Sequence, residues 1–154
     1  MVLEKEIPNN SIENWAREIR YQYFRTLLSA QKLDFVITAN HLNDQLETFI
    51  INLSKASGLK GLSGIPKNEN QILRPLLDFT KNEIYEYAIN NEVDFREDHT
   101  NAENLYLRNR IRNQITPLLL ETNPNFLDNF KKSLSIINDS KIFVEDKINS
   151  IIDN

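Results

Sequence analysis

Residues 34–49 have the sequence DFVITANHLNDQLETF, in which a polar segment directly follows an apolar run. The run over 35–38 is aromatic or β-branched without interruption, which is typical of a short strand covered on both faces. The polar residues after it predict a helix that runs to about Ser57, with Asn43 or Asp44 as its cap. This order predicts an α/β protein, in which ligands bind at the carboxyl ends of the strands.

Three polar side chains share one face of this predicted helix, because Glu47 and Thr48 follow Asp44 by three and four residues. Two carboxylates and a hydroxyl would then stand over the carboxyl end of a buried strand, where ligands bind. A second interpretation needs no function, since the helix dipole favours acidic residues in a first turn by about 0.3–1 kcal/mol each. His41 alone is better explained as a solvated loop side chain. The spacing leaves both interpretations open.

The composition excludes several classes of site. A chain of 154 residues, 40% hydrophobic and 26% charged, suits one globular domain with a substantial core. It has no cysteine, which excludes disulfides, cysteine nucleophiles and thiolate metal sites. With His41 and His99 as its two histidines, a histidine-rich zinc site is also disfavoured.

The net charge of −4 argues against indiscriminate nucleic-acid binding, although a local basic stripe could still bind phosphate. No apolar run approaches the roughly 20 residues that span a bilayer. We therefore expect a cytosolic protein with no membrane role.

The rest of the chain predicts mainly helices. A long helix is expected over 11–31, with Ser11 as its cap and an apolar stripe of Ile12, Trp15, Ile19, Tyr23 and Leu27. The glycines of SGLKGLSGIP predict a tight loop better than a phosphate-binding loop. Pro75 makes the segment 72–77 an edge or irregular strand. Thr80 and Glu83 form a capping box, which predicts a helix to about Asn91.

A second capping box, Thr100 with Glu103, predicts the helix that carries the basic stripe. Its core side is expected to consist of Leu107, Ile111 and Ile115. Arg108 and Arg112 lie one turn apart on a neighbouring face, and Arg110 points away from them. Two such guanidinium groups suit the recognition of phosphate or carboxylate, because each offers a rigid fork of donors. A solvated helix face is the alternative.

The carboxyl-terminal part predicts an amphipathic helix. Asn123 is its expected cap, and Pro124 is expected at the first helical position. Its apolar residues are Phe126, Phe130, Leu134 and Ile137, and Phe143, Ile148, Ile151 and Ile152 extend or repeat the pattern.

Four segments, in order, resemble the bacterial tRNA(Ile)-lysidine synthases of the PP-loop ATP pyrophosphatase group. They are NWAREIRYQYF, TANHLNDQLETFIINLSKASGLKGLSGIP, ILRPLL and REDHTNAENLYLRNRIRNQITPLL. Asn43 stands where the family usually has the first of two aspartates, and Asn40 stands where many relatives have histidine. The family's SGGxDS phosphate loop does not occur in the sequence. We therefore expect a fragment or a truncated gene whose isolated chain is inactive.

The resemblance implies an α/β, Rossmann-like PP-loop fold that lacks its first βα unit and is followed by a helical extension. Residues 1–120 would be the later part of the catalytic domain, and residues 121–154 the extension or a linker. The implied enzyme is an ATP-dependent carbon–nitrogen ligase. ATP adenylates the C2 oxygen of the wobble cytidine of tRNA(Ile), and the amino group of L-lysine then displaces AMP. Mg²⁺ would neutralise the departing pyrophosphate, and a homo-oligomer is left open.

The resemblance also implies roles for individual residues. Asp44 would act in catalysis and bind the metal, and Arg20 and Arg112 match motif positions at the catalytic centre. Six further residues would bind the substrate or the nucleotide: His41, Glu47, Thr48, Arg17, Arg74 and Arg108. Within that group, His41, Glu47 and Thr48 could organise the loop around Asp44.

Two alternatives stay open. One is a different PP-loop tRNA-modifying enzyme such as a thiolase, although the lack of cysteine disfavours the types that use cysteine pairs. The other is a non-catalytic tRNA-binding remnant, which the missing phosphate loop favours.

Overall fold

The computed structural model describes residues 12–96 and 107–152. They divide into two units, each considered by itself. The first unit contains residues 12–38 and 68–73. The second contains the other described residues. The boundary expected after residue 120 stays a prediction.

The first unit begins with helix α1, Ile12–Gln31, as the sequence predicts. Its capping residue lies outside the described residues. The buried side of α1 differs from the predicted stripe, because Tyr23 is 57% exposed whereas Leu28 is buried. Tyr21 and Phe24 make an edge-to-face ring contact on the side of Leu28, with 6.0 Å between centroids. A tyrosine hydroxyl tolerates water, so its place in an apolar pattern is a weak guide to burial.

The first unit also contains a three-stranded sheet of order β1-β3-β2. The strands are β1, Val36–Ile37, β2, Asn68–Glu69, and β3, Ile72–Leu73. β1 pairs in parallel with β3, and β2 pairs antiparallel to β3 through a turn whose two central residues have positive φ. That geometry matches the twist of a two-residue hairpin.

One prediction about these strands is wrong, and another, that 72–77 is an edge or irregular strand, holds in its second form only. Phe35 is 55% and Ile37 70% exposed, so the first strand is not covered on both faces. Within the described residues β1 has a strand neighbour on one side only, and its apolar pattern is not matched by burial. β3 is irregular, as predicted, but it is the central strand and not an edge. It keeps this place because it pairs over two residues and ends before Pro75, which lacks a ladder donor.

The second unit is helical. After α2, Leu42–Ser54, come α3, Leu59–Leu62, and α4, Lys81–Asn90. A continuous helical segment then passes through α5, Leu107–Arg110, a π-helix, Ile111–Ile115, and α6, Thr116–Thr122. The last helix is α7, Phe126–Ile152. The core forms where α2 meets α7, from Leu42, Leu46, Phe130 and Leu134.

The glycine segment is partly helical, since α3 lies within the predicted loop. Gly64 has φ +76°, and an added Cβ would collide with the side-chain amide of Gln45. That amide donates to the carbonyl of Ile65 at 2.9 Å and accepts from its N–H at 2.6 Å. Gly64 therefore allows the chain to pass closely over α2.

Both ends of α4 agree with the sequence. Thr80 Oγ1 accepts from Glu83 N at 3.1 Å, and the Glu83 carboxylate accepts from Thr80 N at 2.6 Å, which is the predicted capping box. These bonds lower the pKa of the Glu83 carboxyl, chiefly through the backbone donor. The second box, Thr100 with Glu103, lies outside the described residues.

The helix of the basic stripe does not bury all three predicted apolar residues. Ile111 is 2% exposed, but Leu107 and Ile115 are 45% and 42% exposed. The π-helix explains part of the difference, because its i to i+5 hydrogen bonds widen the turn and change which side chains align. The buried hydroxyl residue Thr116 was not predicted.

Asn123 was predicted as the cap of α7, but the helix begins at Phe126, and Asn123 instead organises the turn before it. Its Oδ1 accepts from Asn125 N at 2.8 Å, and its carbonyl accepts from Phe126 N at 2.9 Å. Pro124 precedes the helix, so its predicted helical position is wrong, because these two bonds delay the first helical turn to Phe126. The two predicted apolar segments form one continuous helix of 27 residues.

Candidate functional site

The site lies at the first turns of α2. His41 occupies the cap position, with φ −129° and ψ 179°, and Leu42 N donates to the carbonyl of Phe79 at 2.8 Å. The helix thus begins earlier than predicted, because Asp44 reaches back from the third helical position. Its Oδ2 accepts from His41 N at 3.0 Å, which satisfies a donor that the helix itself leaves unpaired.

Glu47 lies one turn further along α2 and is 1% exposed. Two guanidinium groups bind its carboxylate. Arg112 Nε donates to Oε1 at 2.6 Å and Arg112 Nη2 to Oε2 at 3.0 Å, while Arg108 Nε donates to Oε2 at 2.7 Å. Both carboxylate oxygens are therefore occupied by charge-assisted hydrogen bonds, which are short and strong.

The same two arginines reach the other polar residues of the α2 face. Arg108 Nη2 donates to the carbonyl of Asp44 at 3.3 Å and to Thr48 Oγ1 at 3.2 Å. Arg112 Nη2 donates to Asp44 Oδ1 at 3.4 Å. The structure therefore brings together five predicted site residues, Asp44, Glu47, Thr48, Arg108 and Arg112.

These five residues form a charge-balanced cluster of two carboxylates and two guanidinium groups. The hydrogen bonds that Arg112 donates to Glu47 raise the pKa of its guanidinium further above the usual value, so this arginine stays charged. The arginine side chains are still 33% and 29% exposed. The cluster can therefore present positive charge at the surface of α2 while its central carboxylate is buried.

Asn43 has a different environment from Asp44. Its Oδ1 accepts from Lys81 N at 2.8 Å, which links the first turn of α2 to the first turn of α4. The amide supplies an uncharged acceptor where relatives of the resembled family usually have a carboxylate. Lys81 was missed by sequence reasoning, because it lies 38 residues from Asn43 and no local pattern connects them.

A small, mainly apolar cavity of about 190 Å³ lies beside His41. It is lined by Ala39, His41, Leu76, Lys81, Ile84 and Tyr85. The Nδ1 atom of His41 is buried, makes no hydrogen bond within the described residues, and lies 3.6 Å from Asp44 Oδ2.

Burial lowers the pKa of His41 below 6.5, against the opposing effect of Asp44. We therefore expect a neutral imidazole at pH 7. In the unfolded chain the imidazole takes up its proton near the ordinary value, so the unfolded state binds more protons just below pH 6.5. Stability should then fall as the pH is lowered through the interval between 6.5 and the folded-state pKa.

An NMR titration of the His41 ring protons would measure this pKa directly. In His41→Gln, urea unfolding should depend less on pH in this interval than it does in the parent protein. A His41 pKa at or above 6.5 in the folded protein would contradict the expectation.

Three further predicted site residues are Arg17, Arg20 and Arg74. Arg17 and Arg20 are exposed on α1 of the first unit, where the Arg17 guanidinium lies 5.3 Å from the ring centroid of Tyr21. Arg74 belongs to the second unit and is buried, at 3% exposed. Its Nη1 donates to the carbonyl of Pro66 at 2.8 Å. This contact favours a structural contribution of Arg74. Roles of all three at a substrate stay predictions.

The donor set can be tested against Mg²⁺. No three acidic or histidine side chains of the described residues are grouped to hold a metal ion. Glu47 has both oxygens engaged by arginine, which leaves Asp44 as the carboxylate of this face that could reach an ion. Mg²⁺ often binds one or two carboxylates together with substrate phosphates and water. The site therefore fits an ion that arrives with a nucleotide, and does not fit a metal held by protein alone.

Among the described residues, no helix is both long enough and apolar enough to cross a membrane.

Comparisons with known proteins give the family. A tRNA(Ile)-lysidine synthase of Francisella philomiragia is 36% identical over 151 residues, or 96% of this chain and 38% of that protein. The synthase of Porphyromonas gingivalis is 40% identical over 75% of this chain and 26% of its own length. That of Enterococcus faecalis is 38% identical over 77% of this chain and 26% of its own length. The chain thus spans between 26% and 38% of these curated relatives.

A family model described as a PP-loop domain matches residues 2–119, which is most of the chain. The mixed architecture, with a small sheet and a helical carboxyl-terminal region, agrees with that match and with the α/β class predicted from sequence. The chain therefore belongs to the PP-loop domain family.

Proposed function

We propose that this chain is the later part of the catalytic domain of a tRNA(Ile)-lysidine synthase. The complete enzyme would use ATP to adenylate the wobble cytidine of tRNA(Ile) and would then join L-lysine to C2 of that base with loss of AMP. The observation that carries the proposal is the contact of Asp44, Glu47 and Thr48 with Arg108 and Arg112, in a chain whose similar proteins bear this name.

The arginine pair supplies the chemistry that this reaction needs. Negative charge accumulates on the phosphates as pyrophosphate leaves, and positioned guanidinium groups stabilise such charge without having to reorganise. Hydrogen bonds to residues of α2 hold the side chains of Arg108 and Arg112 in place. Both side chains are still about a third exposed, so they can bind an anionic group that approaches from solvent. Their role would be to stabilise the leaving phosphates or the activated base.

Asp44 would act beside them. Its carboxylate is 13% exposed and is oriented by the bond from His41 N. If Mg²⁺ were bound with ATP, the Asp44 carboxylate would help to hold it, and the ion would supply positive charge that offsets the charge of the phosphates. Arg20 is proposed to contribute from α1, because it matches the position of an arginine in the family's motif.

The substrates in this proposal are ATP, L-lysine and tRNA(Ile). The cationic side chains of the site suit ATP phosphates and the tRNA backbone, although the net charge of the chain is −4. The neutral imidazole of His41 and the cavity beside it would provide a less polar surface next to the charged cluster.

Transfer of labelled lysine tests the proposal. The complete enzyme, incubated with ATP and labelled L-lysine, should label a tRNA(Ile) transcript with cytidine at the wobble position. A matched transcript with uridine there should stay unlabelled. The isolated chain should label neither, because it lacks the phosphate loop and two arginines cannot replace a cradle of backbone donors.

Absence of lysine transfer by a complete, folded enzyme would refute the proposal. Transfer of sulfur to the same transcript would favour a thiolase, and tRNA binding without modification would favour a non-catalytic remnant.

A further inference from the structure

The carboxylate of Glu47 is buried and fully occupied by hydrogen bonds, so it is not free to bind a substrate. Its side chain is 1% exposed, and its two oxygens accept three hydrogen bonds of 2.6 to 3.0 Å from arginine. An incoming ammonium group or metal ion would have to displace a guanidinium from a buried carboxylate. Such displacement is costly, since it leaves buried charge without its partner.

We propose that Glu47 is a positioning residue that holds Arg108 and Arg112 in a fixed arrangement beside Asp44. The expected effect of Glu47 on lysine transfer rests on the proposed function. The arrangement of the two arginines around Glu47 does not. The positioning role replaces the expectation that Glu47 binds substrate or nucleotide. Glu47 acts through the arginines and touches no reacting group.

The two arginines are held in different ways, which makes the arrangement specific. Arg112 binds Glu47 through Nε and Nη2 together, so its guanidinium is fixed in orientation as well as in position. Arg108 binds Glu47 through Nε, while its Nη2 reaches the Asp44 carbonyl and Thr48 Oγ1. Both groups therefore turn their Nε and Nη2 side towards α2.

This arrangement needs a carboxylate at position 47 and not merely a polar group. Glutamine would have the same size, but its NH₂ group would face one of the guanidinium donors and could not accept from it. Aspartate would keep the charge but shorten the side chain by one methylene. Displacement of a catalytic group by about 1 Å can lower the rate about 100-fold.

The first experiment measures the arginines directly in the folded 154-residue protein. NMR signals of the Nε–H groups of Arg108 and Arg112 should exchange slowly with solvent in the parent protein, because both donate to a buried acceptor. In Glu47→Gln the exchange of both should accelerate at least 10-fold, and in Glu47→Asp by less. Glu86→Gln, which removes an exposed carboxylate on α4, should leave both signals unchanged.

The second experiment measures lysine transfer by the complete enzyme. Glu47→Gln should lower kcat about 100-fold while KM for ATP and for lysine changes little, because misplaced arginines weaken the transition state more than ground-state binding. Glu47→Asp should restore part of kcat. Glu86→Gln should behave like the parent.

The outcomes separate the two claims. A folded Glu47→Gln protein with parent-like arginine signals would overturn the positioning role, and so would a rise in KM for one substrate with kcat unchanged. If the complete enzyme transferred no lysine at all, the proposed function would fail, but the exchange measurement would still decide whether Glu47 holds the arginines.

Discussion

Asp44→Asn should lower the rate of lysine transfer by the complete enzyme roughly 100- to 1000-fold, the usual cost of losing one well-placed electrostatic group. The substitution keeps the size of the side chain and an acceptor for His41 N, so the start of α2 should still form. It removes the charge that interacts with Arg112 and that would hold a magnesium ion arriving with ATP. The expected change is therefore in turnover much more than in stability.

Steady-state rates and thermal unfolding should be measured on the same preparations. Asp139→Asn is the matched control, because it makes the same chemical change at an exposed position of α7, a helix that contributes no residue to the cluster. Near-normal lysine transfer by a folded Asp44→Asn enzyme would show that the assigned role is wrong.

Arg112→Lys should impair lysine transfer strongly, by about 100-fold, whereas Arg110→Lys should change it only slightly. Lysine keeps the positive charge but loses the planar fork that binds both oxygens of Glu47 and reaches Asp44 Oδ1. Arg110 lies about 200° around an ideal helix from Arg108. It is exposed, and so serves as the matched control for the same chemical change.

The comparison depends on geometry more than on net charge, because both variants keep the same formal charge. Rates with tRNA(Ile) would be compared after correction for the folded fraction. Equal effects of the two substitutions, or a larger effect at Arg110, would contradict the assignment of Arg112 to the site.

The sequence predicted each half of the cluster separately. Helical spacing placed Asp44, Glu47 and Thr48 on one face, and the same rule placed Arg108 and Arg112 on another. It could not predict that the two faces meet, because the contacts join residues 60 to 68 positions apart. The sequence left open whether Glu47 binds substrate or nucleotide or organises the loop around Asp44, and it could not show that arginines donate to both oxygens of its carboxylate.

Errors in the fold have a similar origin. Capping boxes depend on neighbours within a few residues, so the start of α4 was predicted correctly. Burial depends on what packs against the faces of an element, which the apolar pattern of β1 does not show, and Ile37 is 70% exposed. The exposure of Ile115 could not be predicted for another reason, since nothing in the apolar spacing indicated the π-helix over Ile111–Ile115.

The most direct test of the arginine arrangement is a double-mutant cycle in urea unfolding, with Glu47→Gln, Arg112→Gln and the two combined. Each single variant leaves the remaining charge with one partner fewer, whereas the double variant removes both charges of the pair. The destabilisation of the double variant should therefore be smaller than the sum of the singles by about 0.5–3 kcal/mol, the range for residues in contact. Destabilisations that add to within about 0.3 kcal/mol would instead mean that Glu47 and Arg112 act independently, and would contradict the account.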